Sequence, residues 1–362
     1  MKNPRTLALH DSGQRLWLDN ITRGMLRSGT LQRYIADLSV TGLTSNPTIF
    51  ERAIASGSDY DGSIQVLAAA GLRAEDLFFE LALQDLKQAA DLFRPHFDAS
   101  EGLEGWVSLE VSPLLAHDSA GTLRSARNLH ARAALANLMI KIPGTPAGLV
   151  AIEESIFAGI PVNVTLLFSC EHYLAAAQAY LRGLERRAAL GLPLKVGCVA
   201  SLFVSRWDVA IAKQFPAPMH NRLGLAVAGR TYEAYRALLA SERWLRLASA
   251  GARAQRLLWA STGTKDPTAR DTLYVEALGL PDTIDTIPEP TLLAYADHGQ
   301  PDRSLVGDAA SWQEIMGEFS RAGLDEQALA AQLQREGAEA FSGSWASLLS
   351  RIAQKSGASA SA

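Results

Sequence analysis

The stretches Val107-Ser108-Leu109-Glu110-Val111-Ser112 and Leu138-Met139-Ile140-Lys141-Ile142-Pro143 decide how this chain is read. Both have the length and the aliphatic, β-branched composition of strands. Period-two alternation puts Ser108, Glu110 and Ser112 on one face of the first and Leu109 and Val111 on the other. In the second, Lys141 shares a face with Met139, opposite Ile140 and Ile142. A strand in a parallel sheet is covered on both sides and should read as nearly continuous apolar sequence. These two break that rule on one face only. Residues 161–168 do the same, with Asn163 and Thr165 on one face against Val164 and Leu166. Thr44 with Asn46, Trp17 with Asp19, and Trp259 with Ser261 make further same-face pairs. If the apolar faces meet helices, the polar faces point into a closed barrel, whose C-terminal mouth is where barrel enzymes keep their sites.

Working outward, short apolar segments alternate with longer amphipathic ones, the mark of βα units. The strands are expected at 16–20, 41–46, 106–112, 137–142, 161–168, 194–204, 256–262 and 282–287. Helices are expected at 72–93, ending before Pro95; at 169–190, opened by Ser169 and ended by Gly191; and at 222–250, ended by Gly251. Eight units predict an α/β fold, a single (β/α)8 barrel over residues 1–355, with extra helices across 300–354 and a frayed small-residue tail at 356–362. An open doubly wound sheet is the alternative, but its first βα turn lacks the G-x-G-x-x-G fingerprint.

Composition narrows the function classes. The 362 residues are 48% hydrophobic and 20% charged, with a formal net charge of −4. That charge gives no electrostatic reason to expect nucleic acid or an anionic membrane as partner. Two cysteines, Cys170 and Cys198, are too few for a disulfide scaffold and read as free thiols in a reducing cytosol. Residues 1–14 lack the apolar core of a signal peptide, and no run reaches the about 18 apolar residues of a membrane helix, so the expectation is a cytoplasmic protein. The seven histidines make no metal-binding pattern. No metal site is expected, although spacing leaves a magnesium site of carboxylates alone open.

Lys141 is the sharpest candidate. Burying an ammonium group is costly and is relieved by a lowered pKa or by a partner. A neutral amine is what a Schiff-base nucleophile needs. The competing explanation is a lysine snorkelling from a strand end or paired with Glu110. Asp19, Glu110, Asn163 and Thr165 tip the balance, because they add acid–base groups and hydroxyl binders to the same mouth. Ser261-Thr262-Gly263-Thr264-Lys265 passes from strand to loop with donors and a lysine, suited to an oxyanion or phosphate but too short in its glycine spacing for a P-loop. Arg206 adds a cation at the same end. Asn46 before Pro47 is also an ordinary turn signal.

These residues together resemble the transaldolase family. The resemblance rests on Leu16-Trp17-Leu18-Asp19-Asn20, Gly42-Leu43-Thr44-Ser45-Asn46-Pro47, Val107-Ser108-Leu109-Glu110-Val111, Met139-Ile140-Lys141-Ile142-Pro143 and Asn163-Val164-Thr165-Leu166-Leu167-Phe168-Ser169, which stand in the family's order. It implies that Lys141 is the Schiff-base lysine, that Asp19 handles the proton of the sugar C4 hydroxyl, and that Glu110 and Thr165 hold a water for proton transfers. It also implies that Asn46, Asn163 and Ser201 bind hydroxyls of the dihydroxyacetone unit and that Arg206 and Ser261 bind phosphate. Many members have Ser-Phe-Arg where this chain has Ser261-Thr262-Gly263. The chain is similar there to the longer bacterial and plant branch, with Lys265 in place of the arginine.

The implied activity is transfer of a dihydroxyacetone unit between sugar phosphates of the pentose phosphate pathway, by a monomer or homodimer that needs no cofactor. A Schiff-base aldolase of the same fold would release the three-carbon unit instead. A barrel kept only as a sugar-phosphate binder would be expected to lack at least one of Lys141, Asp19 or Glu110.

Overall fold

The computed structural model describes residues 2–304 and 309–357. Eight parallel strands close into a barrel in chain order: β1 Arg15–Leu18, β2 Val40–Leu43, β3 Trp106–Glu110, β4 Leu138–Pro143, β5 Val162–Leu167, β6 Cys198–Phe203, β7 Arg256–Ala260 and β8 Ile284–Ile287. Closure runs through β1 and β8, where Leu16 pairs with Asp285 and Trp17 with Thr286. This is the expected (β/α)8 barrel, and helices Ala309–Arg321 and Glu326–Lys355 follow its last strand as the 300–354 segment predicts. Of the tail expected at 356–362, residues 358–362 lie outside the described residues. Among the described residues no helix is long and apolar enough to cross a membrane.

The apolar side chains divide into two bodies, as alternation requires. Leu16, Leu18, Val107, Leu109, Ile140, Ile142, Val162 and Val164 belong to the large core between strands and helices. Trp17, Trp106, Met139, Val199, Leu258 and Ile284 pack together inside the barrel as its floor. Two glycines make room for that floor. A Cβ on Gly42 would lie 2.7 Å from Trp17 Nε1, and one on Gly197 would lie 2.6 Å from Trp106 Cζ2. With indoles filling the lower layer, the next inward positions form a polar layer at the C-terminal mouth.

Alternation fails at two places. It pairs Trp259 with Ser261 on the inner face, but Trp259 belongs to the outer core and donates from Nε1 to Leu278 O at 3.1 Å. Ser261 reaches the mouth because its backbone is left-handed, with φ 58°, which resets the alternation. It also places Leu166 outward beside Val164. Leu166 too is left-handed, with φ 59°, at a register shift between Val164 and Leu167, and it joins the inner cluster.

Helix limits differ where tertiary contacts outweigh local signals. The helix expected to end before Pro95 runs Ala74–Ala99. Proline withdraws one hydrogen bond near the helix end, at exposed Asp91, while Phe97 packs edge-on against Trp106 with centroids 4.9 Å apart. The segment 222–250 is two helices, Leu223–Leu239 and Glu242–Ser249. Ser241 divides them by donating to Leu238 O and accepting from Trp244 N. Of the strand expected at 194–204, only Cys198–Phe203 is ladder. The helix Cys170–Ala189 begins at Ser169 as read, its hydroxyl accepting from His172 N at 3.2 Å.

Asp285 is the exception to the apolar outer layer. On β8, Ile284 and Thr286 face inward, so Asp285 and Ile287 face the helices. Asp285 is 0% exposed and accepts a 2.8 Å hydrogen bond from Thr262 on Oδ1, while Oδ2 has no partner among the described residues. Burial pushes this carboxyl up to about 7. A folded pKa above the unfolded value means the folded state binds more protons between the two. Stability from this group is therefore full at low pH and is lost as pH rises through about 7. Urea unfolding at pH 5 and pH 8 checks the sign: relative to wild type, Asp285→Asn should gain stability at the higher pH.

Candidate active site

The strand ends open onto a cavity of about 940 Å3 lined by Asp19, Thr44, Asn46, Lys141, Thr165, Ser201, Arg206, Ser261 and Lys265. Strand register explains the centre. Glu110 pairs with Lys141 across β3 and β4, and Lys141 with Asn163 across β4 and β5, so the three share one transverse row. Lys141 Nζ lies 3.2 Å from Glu110 Oε2 and donates to Ser45 O at 3.3 Å; the two side chains are 6% and 5% exposed. The ion pair offered as the competing explanation for Lys141 is thus present, inside the cavity wall and not at the surface. Glu110 and Asn163 stand behind the lining. Asn163 accepts from Ser201 Oγ at 2.7 Å and donates to Ser108 Oγ at 3.2 Å, which fixes the orientation of Ser201 at the cavity. The Thr165 hydroxyl is buried and has no hydrogen-bond partner among the described residues.

Asp19 follows directly on β1, its N–H continuing the ladder to Ile287 O. Thr44 donates to Asp19 Oδ1 at 2.8 Å, and Thr286 Oγ1 stands 2.5 Å from Thr44 Oγ1, making a hydroxyl chain that ends on the carboxylate. Burial raises the Asp19 pKa, with the Lys141 charge and the Thr44 hydrogen bond pulling the other way. Burial also raises Glu110, opposed by Lys141 and reinforced by the Asp19 charge. One ammonium therefore serves two carboxyls that burial pushes towards protonation, an arrangement suited to moving protons.

At the rim, Asn46 caps the helix Pro47–Ala55, its carboxamide oxygen accepting from Ile49 N at 3.0 Å. Contact with a ligand is left to its amide nitrogen. Arg206 is the second residue of the short helix Ser205–Ile211 after β6, with Cζ 5.4 Å from the Phe203 ring centroid, and burial lowers its pKa against the opposing charge of Glu336. Ser261 Oγ lies 2.9 Å from Ser205 Oγ. Among the described residues no three histidine, cysteine or carboxylate side chains are grouped to hold a metal ion.

Several cavity residues escape the sequence reading. Thr286 is discoverable, since the alternation of 282–287 puts it inward two positions after Ile284. Arg52 also lines the cavity, six residues beyond Asn46 on an exposed helix face, and nothing local separates it from a surface arginine. Phe341 has no signal at all. It comes from the helix Glu326–Lys355, after the last strand, yet its ring centroid is 5.7 Å from Lys141 Nζ. That helix is tied over the ends of β4 and β5 by Gln334, which donates to Gly144 O at 3.2 Å and to Leu166 O at 2.9 Å. Gly337 faces Leu166 so closely that a Cβ would lie 2.9 Å from Leu166 Cδ2.

A closed parallel barrel with an amine and two carboxyls at its C-terminal mouth defines an α/β-barrel enzyme. The family model described as transaldolase/fructose-6-phosphate aldolase matches residues 16–352, and the chain belongs to that family. It is 42% identical over 360 residues to a protein described as transaldolase from Saccharopolyspora erythraea, covering 98% of each chain. It is 44% identical over 353 residues to transaldolase 1 of Streptomyces coelicolor, covering 95% of this chain and 93% of that one. A transaldolase from Thiobacillus denitrificans is 43% identical over 350 residues, covering 94% and 97%.

Thr44→Val tests the hydroxyl chain. Removing a donor that favours the ionised form should raise the Asp19 pKa further. Carbon-13 NMR titration of the Asp19 carboxyl reads the shift, and an unchanged or lowered value would show that the Thr44 contact does not matter.

Proposed function

We propose that this chain is a transaldolase that moves a dihydroxyacetone unit from sedoheptulose 7-phosphate to glyceraldehyde 3-phosphate, giving erythrose 4-phosphate and fructose 6-phosphate, through an imine on Lys141. The observation that carries this reading is the buried Lys141–Glu110 pair at 3.2 Å on the wall of a cavity that Asp19 also lines. Relatives described as transaldolases over nearly the whole chain support it. The reaction belongs to the pentose phosphate pathway and the cytoplasm.

The steps derive from the groups present. The Lys141 amine adds to the ketose C2 carbonyl, and loss of water gives an iminium. Glu110 takes and returns the protons of that exchange, with a water held between it and the Thr165 hydroxyl. Asp19 then accepts the proton of the C4 hydroxyl as the C3–C4 bond breaks. The bonding pair flows into the iminium, leaving an enamine on Lys141 and releasing the aldose phosphate. The enamine C3 attacks the aldehyde carbon of the acceptor, Asp19 returns its proton to the new hydroxyl, and water hydrolyses the imine. Asn46 and Ser201, the latter oriented by Asn163, hold the hydroxyls of the three-carbon unit. Arg206, Ser261 and Lys265 hold the phosphate. Phe341 beside the lysine limits the water that reaches the enamine between half-reactions. The electron sink is the imine itself, and the mechanism asks for no further cofactor.

Borohydride added with fructose 6-phosphate should reduce the imine to a secondary amine on Lys141, found by peptide mapping. Lys141→Arg should give no adduct and no activity with the fold retained. Asp19→Asn should still be trapped but transfer about 10²–10⁴ times more slowly, the usual loss for a general acid–base group. An adduct on another lysine overturns the assignment. Turnover of fructose 6-phosphate without an added acceptor would point to a free aldolase, which omitting the acceptor from the assay separates from a transferase.

The phosphate end has its own test. Arg206→Ala and Lys265→Ala should each raise KM for fructose 6-phosphate by about tenfold, as loss of a charge-assisted contact does. Transfer of unphosphorylated dihydroxyacetone should change little. A wild-type KM in Lys265→Ala would leave Arg206 and Ser261 as the phosphate contacts.

A further inference from the structure

The run after β7 alternates between two environments. Ser261, Gly263 and Lys265 line the cavity. Thr262 points the other way, is 0% exposed, and donates its hydroxyl to Asp285 Oδ1 at 2.8 Å. The turn that separates them is the left-handed Ser261, a conformation that a non-glycine residue keeps only when its surroundings hold it. On the β6 side it is held by Ser205, whose N–H donates to Ser261 O at 3.1 Å and whose hydroxyl lies 2.9 Å from Ser261 Oγ. On the β8 side the side-chain hold is the Thr262–Asp285 bond. The loop is also nested against Pro288, just past β8: a Cβ on Gly263 would lie 3.3 Å from Pro288 Cγ and 3.7 Å from Lys265 Nζ. The Lys265 ammonium thus folds back over the backbone that Thr262 anchors.

We propose that Asp285 is a positioning residue for the phosphate end of the site: from behind the barrel wall it grips Thr262 and so fixes where Ser261 and Lys265 stand on the cavity. The inference rests on the reading of that loop as the phosphate contact. A fully buried carboxyl with one satisfied oxygen is a poor stabilising device, because burying a polar group without its full complement of partners costs free energy. Its one side-chain hydrogen bond among the described residues joins β8 to the loop that faces the cavity, and burial shifts the carboxyl towards its uncharged form. Asp285 touches no ligand, and its effect passes through Thr262.

The test is a set of steady-state measurements with fructose 6-phosphate and with unphosphorylated dihydroxyacetone donors. Thr262→Val removes the donor without changing the size of the side chain, and Asp285→Leu removes the acceptor. Each should raise KM for the phosphorylated donor by about tenfold, the loss of one buried hydrogen bond, with kcat and the unphosphorylated donor much less affected. Asp285→Asn keeps an acceptor for the Thr262 hydroxyl and should restore most of the affinity. Should Asp285→Leu fail to fold, Thr262→Val and Asp285→Asn carry the comparison. A wild-type KM in Thr262→Val, or equal losses for phosphorylated and unphosphorylated donors, overturns the proposal. Ser261→Ala and Lys265→Ala separate the two readings. If both bind fructose 6-phosphate normally, the reading of the loop as the phosphate contact fails and the proposal falls with it; if they are weakened while Thr262→Val binds normally, the positioning role of Asp285 alone is overturned.

Discussion

Closing β1 onto β8 gives every strand two neighbours and leaves an interior that only side chains can fill. That space is shared out layer by layer, and the indoles of Trp17 and Trp106 with Met139, Leu258 and Ile284 take the lower part. A floor of that size is possible because Gly42 and Gly197 present no Cβ to it. Whatever faces inward one step higher has a dry layer beneath it and the cavity above. Lys141, Glu110 and Asn163 stand in that row because neighbouring strands are in register, so the chemistry at the mouth is a consequence of how the barrel is filled.

The cost of such a layer is electrostatic. A buried ion pair recovers its desolvation penalty only with good geometry and further hydrogen bonds. Lys141 has Glu110 and the Ser45 carbonyl, and Asp19, outside the row, has Thr44. The carboxyls nonetheless remain more easily protonated than in water. The site is tuned against local stability, while the outer apolar core carries the fold.

Where strands are regular, the sequence is a sufficient guide. The period-two pattern of 107–112 and 138–143 places Glu110 and Lys141 correctly, and the count of βα units gives the barrel. It misleads where one residue turns left-handed. Ser261 and Leu166 each shift the face of the residues after them, and neither serine nor leucine announces that conformation as glycine would. Trp259 falls on the wrong face for that reason. Pro95 is the reverse case, a strong local stop overruled by the packing of Phe97 on Trp106. Asn163 reads as a direct contact, yet it stands behind Ser201, because alternation gives a side chain's direction but not its depth. Arg52 and Phe341 reach the cavity through tertiary placement of helices, which no local pattern encodes.

The helix Glu326–Lys355 is joined to the rest through Gln334, the Thr48–Ser344 hydroxyl contact, Trp345 against Phe78 and Phe79, and Lys355 on Asp61. It comes after every strand in the chain, so the ribosome delivers all eight before the segment that carries Phe341. A nascent barrel can close with its amine already formed and still unshielded. Until that helix docks, the cavity lacks the wall that Leu333, Glu336 and Phe341 give it, and the lysine lacks the ring beside it. Chain order thus makes the last segment synthesised the one that completes the chamber around the nucleophile.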